Sequence, residues 1–495
     1  MHIPTQTVKH LHFVGIGGIG MSGIAEVLHN IGYQVKGSDI AENVNISRLQ
    51  TLGIKITIGH QAENIKDAQV VVVSSAVSPE NPEVLAAKTL GIPVIQRAEM
   101  LAELMRLKLS VAISGTHGKT TTTSLVAALL DTADMDPTVV NGGIINAYNT
   151  NARLGTGEWI VVEADESDGS FTKLPSTLAI ITNIDPEHMD FYGNFENLKN
   201  SFLKFIENTP FYGLGILCLD HPEVKSLIPL ITNRRILTYG FDEKANIRAT
   251  NLRMSAEYST FDVDIQPLHH HSFLVQKEIK NGGVTALPRR LKDINLPMLG
   301  KHNIQNALSV IAVAQELGID DETVRTAFKN FKGVKRRFTK VGVSGGVTII
   351  DDYAHHPVEI QTVVEAAKQS TEGKIIAVVQ PHRYSRLNDL FQEFSLCFKG
   401  SDSVVVAPIY SAGEDPIPNI TSKNLAEAIR SQGISQVFEI EDAKELPYII
   451  RRIAQKNDTV LCLGAGSITY WAAALPAQLD QLWDQPISHQ QESLG

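Results

Sequence analysis

Cysteine is scarce in this chain. There are three in 495 residues, Cys218, Cys397 and Cys462, far apart and without metal-ligand spacing. That excludes a disulfide scaffold and a zinc ribbon, and the thiols read as small buried residues of a reducing compartment. No apolar run approaches the roughly eighteen residues of a membrane span, although apolar content is an ordinary 43%. The first ten residues hold no basic patch followed by an apolar stretch, so no secretory leader is expected and the expected compartment is the cytoplasm. Positive charge is in deficit: 44 Lys and Arg against 54 Asp and Glu give a formal net charge of −10. A general nucleic-acid binder would show a basic face, so neither nucleic acid nor membrane is an expected partner. Short repeats and low-complexity tracts are also missing.

What is present is length and alternation. A chain of 495 residues exceeds one hydrophobic core, so two to four domains are expected. Short β-branched runs recur at 11–14, 70–73, 109–113, 159–162, 178–181, 347–350, 375–379, 404–406 and 460–463. Continuous apolar runs of this length suit strands buried on both faces of a parallel sheet. Helix-like stretches at 20–31, 120–130 and 358–368 lie between them, which predicts an α/β fold with doubly wound sheets. Boundaries near 105–108 and 331–336 divide the chain into 1–107, 108–332 and 333–495. The polar, alternating segment 248–297 reads as a small antiparallel addition to the middle domain. His269, His270 and His271 within it read as surface residues, and the polar tail after Gln485 reads as disordered.

Two glycine loops follow strand-like runs. Gly115-Thr116-His117-Gly118-Lys119-Thr120-Thr121 leads into a helix-forming segment. Its backbone N–H groups and the helix dipole suit a phosphate, Lys119 can reach terminal phosphates, and the Thr120 hydroxyl can sit on Mg²⁺. The strict G-x-x-x-x-G-K-[ST] pattern fails, since Ile113 stands at the first glycine position. Earlier, Gly15, Gly17 and Gly20 form G-x-G-x-x-G (with Gly18 inside it), and Asp39 ends the next strand-like run. That pattern fits a turn for a pyrophosphate with an acid for a ribose or base, or a turn for helix packing only. Two nucleotide-type sites have no use in a plain dehydrogenase. They suit an enzyme that joins a nucleotide-carrying substrate to something else.

Acids cluster after two further strands: 163–168, beginning with Glu163, and 182–190, which contains His188. Carboxylates there can complete the Mg²⁺ coordination begun by Thr120, and His188 is a less usual candidate ligand. Solvated loops are the alternative. Asn303 and Asn306 stand one helical turn apart, to face a purine or phosphate, or with Asn303 as a helix cap. Later strands deliver Asp351 to Pro357 and Gln380 to Arg386, where arginines suit a carboxylate or phosphate.

The ordered series GIGGIGMSG (15–23), GTHGKTTT (115–122), EADESD (163–168), TNIDPEHMD (182–190), GKHNIQNA (300–307), RRF (336–338), DDYAHHP (351–357) and PHRYSR (381–386) resembles the Mur ligases across nearly the whole chain. The resemblance implies three domains: Rossmann-like N- and C-terminal domains flanking a central P-loop ATPase-type domain. It implies ATP-dependent joining of L-alanine to UDP-N-acetylmuramate through an acyl phosphate. By resemblance, Gly15, Gly17, Gly18, Gly20 and Asp39 serve the UDP-sugar. Gly115, Thr116, His117, Gly118, Lys119, Thr120 and Thr121 serve ATP with Asn303 and Asn306, joined by Arg337 and Asp352. Thr120 and Glu163 hold one Mg²⁺ and His188 a second, while His355, His356, His382 and Arg383 face the amino acid and phosphate. The relatives' carbamylated lysine has no assignable counterpart here: Lys199 and Lys204 follow Asp190 in an amphipathic helix. Two alternatives stay open, a recycling ligase that joins a tripeptide to the same nucleotide sugar, and a non-catalytic nucleotide switch. The first glycine turn differs from that of the recycling subgroup.

Overall fold

The computed structural model describes residues 8–74, 76–255, 257–266 and 288–483. The expectations for His269 to His271 and for the tail after Gln485 fall outside these residues. Three sheets organise the described residues.

The first sheet holds β1 (His10–Val14), β2 (Gln34–Asp39), β3 (Lys55–Ile58), β4 (Val70–Val73) and β5 (Val94–Gln96) in the order β3-β2-β1-β4-β5. All four pairings are parallel. The central strands β1 and β4 are the apolar runs visible in the sequence, and Phe13, Val14, Val71 and Val72 are wholly buried. The order reverses at β1, and in such sheets ligands collect at the carboxyl edge beside that reversal.

The second sheet comprises β6 (Leu109–Ser114), β7 (Thr138–Ile145), β8 (Thr150–Arg153), β9 (Trp159–Glu163), β10 (Leu178–Ile181), β11 (Leu214–Cys218), β12 (Ile236–Gly240), β13 (Ile247–Met254), β14 (Ser259–Ile265) and β15 (Arg289–Leu296). Its order is β15-β14-β13-β12-β11-β10-β6-β9-β7-β8. From β12 through β7 every pairing is parallel. The loops after β10, β6, β9 and β7 therefore emerge side by side on one edge. The addition expected at 248–297 supplies β13, β14 and β15 at the far end of this sheet. Its first strand departs from the expected antiparallel pattern, because β13 pairs parallel with β12.

The third sheet holds β16 (Thr339–Ser344), β17 (Val347–Asp352), β18 (Ile375–Val379), β19 (Ser403–Val406), β20 (Gln436–Glu439) and β21 (Thr459–Leu463), ordered β16-β17-β21-β18-β19-β20. Only β16 is antiparallel to its neighbour. The molecule is thus a three-domain α/β protein. Its chain forms two compact units, one carrying the first two sheets and one carrying the third, the latter with the short segments 253–259 and 296–302. No helix among the described residues is long and apolar enough to cross a membrane.

Candidate active site

In the first unit, β6 runs into the phosphate-type loop and the helix Lys119–Thr132. Gly115 has φ +134°, and a Cβ there would lie 2.1 Å from Thr182 Oγ1, so only glycine fits. The loop is clamped by the segment after β10. Asn183 Oδ1 accepts from His117 N–H at 2.7 Å, the Thr182 hydroxyl donates to His117 O at 2.6 Å, and Thr116 Oγ1 accepts from Asp185 N–H at 2.8 Å. Part of the acid-rich 182–190 segment therefore shapes the loop itself.

Lys119 is turned inward. Its ammonium donates to Gly115 O at 2.6 Å, Thr116 O at 3.0 Å and Glu166 Oε1 at 2.8 Å. Burial alone would lower its pKa, but Glu166, Glu163 and Asp165 reverse the shift and keep it charged. Glu166 is buried, with Oε2 lacking a hydrogen-bond partner. Glu163 ends β9 and stands in register with Ile113 of β6. Gly142 donates its N–H to Glu163 Oε2 at 2.9 Å, and a Cβ on the next glycine, Gly143, would lie 2.8 Å from Thr120 Cγ2. Glu163 and Thr120 are thus gathered around consecutive glycines. His188 has φ +58°, and its ring joins Glu166 and Glu187 in a group whose ligand atoms lie within 4.8 Å of one another. Lys199, half-buried, pairs with Glu196 at 2.8 Å and Glu223 at 3.2 Å.

Asn303 and Asn306 are both buried within the helix Lys301–Leu317. Asn303 is inside the first turn, so the capping alternative fails. A Cβ on Gly118 would meet Asn306 Oδ1 at 2.7 Å, which sets this amide against the phosphate loop.

The other glycine turn, after β1, is braced from within. Gly15 and Ile16 donate to Ser38 O at 2.9 and 3.1 Å, and the helix Ile19–Ile31 begins immediately after Gly18. Asp39 accepts from Gly17 N–H at 2.8 Å through Oδ2 and from Ile40 N–H through Oδ1. Its carboxylate therefore braces the turn in this conformation.

The second unit brings its own residues together. Asp352 ends β17 and accepts from Phe338 N–H at 2.6 Å and Ala354 N–H at 2.8 Å. Burial pushes its carboxyl up to about 6. Arg336 donates to Gly464 O at 2.5 Å, and both Arg336 and Arg337 lie over the Tyr353 ring. Of the pair, Arg336 is the one tied to the backbone after β21. His355 and His382 have ring centroids 6.0 Å apart, and His382 stacks on Tyr410 at 5.4 Å. Arg383 is exposed at φ +71°. His356 is buried as the cap of the helix Pro357–Ser370, its Nδ1 accepting from Val358 N–H at 3.3 Å. That is a structural employment the sequence did not indicate.

Sequence reasoning gave Glu187 no role of its own, and it passed over Gly142 and Gly143 and the Gly464-Ala465-Gly466 turn after β21. The Asn-Gly-Gly following the apolar Val139–Val140 was a legible signal for the first pair, as was strand–Gly-x-Gly–helix for the last.

Residues 10–109 match the domain described as "Mur ligase family, catalytic domain", residues 113–314 "Mur ligase middle domain" and residues 336–466 "Mur ligase, glutamate ligase domain". The chain belongs to the Mur ligase family. Within it, the chain is 57% identical over 470 residues to the UDP-N-acetylmuramate–L-alanine ligase of Rhodospirillum rubrum, covering 95% of each chain. The crystal structure of the UDP-N-acetylmuramate–alanine ligase of Thermotoga maritima matches with a TM-score of 0.78 at 30% identity, covering 96% of this chain and 99% of that one. A murein peptide ligase from Psychrobacter arcticus shares the fold at a TM-score of 0.66 and 20% identity, covering 97% and 100%.

Proposed function

We propose that this chain is an ATP-dependent, cytoplasmic ligase that joins L-alanine to UDP-N-acetylmuramate in peptidoglycan precursor synthesis. The observation that carries this is the shared edge of β10, β6, β9 and β7, which gathers Lys119, Thr120, Glu163 and His188 in a unit that also holds a separate dinucleotide-type turn. In this reading residues 1–107 bind the UDP-sugar at Gly15, Gly17, Gly18 and Gly20. Residues 108–332 bind ATP through 115–121 with Asn303 and Asn306. Residues 333–495 supply Arg337 and Asp352 and present His355, His382 and Arg383 to the amino acid.

The donor set fits hard cations: the Thr120 hydroxyl and Glu163 carboxylate for one Mg²⁺, and His188, Glu187 and the Glu166 carboxylate, whose Oε2 has no hydrogen-bond partner, for a second. Bound there, Mg²⁺ would offset the charge of approaching anions. The sugar's carboxylate attacks the γ-phosphorus, ADP leaves, and the alanine amine then displaces phosphate from the acyl phosphate. Two anions must meet, so the loop N–H groups and the Lys119 ammonium have to stabilise the charge on the transferring phosphoryl group. For that, Lys119 must leave Glu166 and Gly115 O and turn toward the phosphate. The Gly142 N–H holds the Glu163 carboxylate in place meanwhile. Phosphate release, measured with each candidate nucleotide sugar and amino acid, tests the assignment. Preference for a tripeptide would replace it with the recycling reaction.

A further inference from the structure

Arg97 was not singled out by any motif, yet it stands between the two proposed nucleotide sites. It follows β5, at the same carboxyl edge from which the glycine turn leaves β1. Its side chain is only 15% exposed. One N–H of Nη2 donates to Asp165 Oδ2 at 3.1 Å, in the acidic run beside Lys119. The other side of the guanidinium lies against Gly20: a Cβ built there would sit 3.2 Å from both Cδ and Nη1 of Arg97. The third glycine of the turn is thus the space that admits this arginine. No acceptor among the described residues meets Nη1 or Nε.

We propose that Arg97 is a clamp for the diphosphate of the sugar nucleotide, its free guanidinium edge completing the anion site made by the glycine turn and the start of the helix Ile19–Ile31. Three physical considerations converge on this. A largely buried guanidinium with one carboxylate partner keeps unused donors, and these are directed donors suited to phosphate oxygens. The turn itself offers only backbone N–H groups and a helix dipole, which carry partial charge. A diphosphate carries a larger negative charge than those supply, and Arg97 places a full positive charge against the turn. The ion pair with Asp165 fixes the height of the guanidinium above Gly20 and ties that site to the acids around Lys119.

This assignment rests on the sugar-nucleotide reading of the glycine turn, and calorimetry on the full chain separates the two. UDP-N-acetylmuramate, UDP and uridine are titrated into the unaltered enzyme and into Arg97→Ala, Arg97→Lys and Asp165→Asn, with ATP binding as the control for folding. Arg97→Ala should weaken UDP about ten- to a hundredfold, the range lost with a charged hydrogen bond, while uridine is unaffected. Arg97→Lys should recover part of the loss, and Asp165→Asn should stay within a few-fold of the unaltered enzyme. An unaltered enzyme that binds no UDP would overturn the reading beneath. UDP binding equal in the unaltered enzyme and Arg97→Ala would overturn the clamp alone. So would a loss confined to UDP-N-acetylmuramate, which would place the guanidinium on the sugar's carboxylate. An equal loss in Asp165→Asn would make Arg97 a structural tie.

Discussion

Lys119 in this structure is held by two loop carbonyls and Glu166, so its ammonium is charged, dehydrated and already at the phosphate loop. Replacing it with alanine should lower turnover by at least about a hundredfold, as removal of one preorganised charge stabiliser does. Near-normal turnover in that variant would remove the loop from the chemistry. Glu163→Ala and His188→Ala should each shift the Mg²⁺ dependence of activity to higher concentration, and superimposable titration curves would make both clusters mere loops. His382 offers a test of the second unit. Burial, aided by His355, Arg386 and Arg383, depresses its pKa to about 4. The unfolded chain therefore binds this proton more readily between pH 4 and 6.5. The stability that the neutral ring contributes is present above pH 6.5 and lost as the pH falls toward 4. NMR of the ring should find His382 still neutral at pH 5.5, and a titration midpoint near 6.5 would contradict its burial. At this scale the sequence was uneven. Lys119, Thr120 and Glu163 were legible because motif spacing fixes them. Glu166's contact with Lys119, Asp39's hydrogen bond to Gly17 and the space that Arg97 takes over Gly20 were not, since each depends on how separate strands are placed.

Elements explain why the loops hold their shape. The phosphate loop is clamped by the segment after β10, and Gly115 fits against Thr182 only without a side chain. Gly115→Ala combines a positive-φ penalty with a close clash and should cost about 2–4 kcal/mol. Gly53, at φ +91° with nothing within 4 Å of an added methyl, should cost only about 1 kcal/mol on the same change. Thermal melts of the two variants should differ in that order, and equal losses would mean that the clamp is loose. The continuous apolar runs that stood out in the sequence each proved to be a buried strand of a mainly parallel sheet. Leu214–Cys218 and Ile236–Gly240 did not stand out, although they are parallel strands of the central sheet. A glycine breaks the apolar run of one, and Thr238 and Tyr239 dilute that of the other.

At the scale of the whole molecule, the proposed assignment divides two nucleotide sites and an amino-acid site among the three sheets. If that division is right, specificity for a small amino acid resides in the third-sheet domain. Arg383→Ala should then raise the KM for L-alanine far more than those for ATP or the sugar nucleotide, because its pairing with the alanine carboxylate is lost. A uniform rise in all three would point to phosphate or domain closure. Discrimination against glycine should be about ten- to two-hundredfold, since one methyl group offers little binding energy. The three-domain order was legible from the series of motifs. The addition at 248–297 was legible too, but the parallel pairing of β13 with β12 was not, because polar alternation leaves strand direction undetermined. The central claim is that ATP cleavage is coupled to both substrates. Steady-state phosphate release with ATP, UDP-N-acetylmuramate and L-alanine, each omitted in turn, measures that coupling directly. Release should require all three, and release sustained by a tripeptide in place of L-alanine, or by ATP alone, would contradict it.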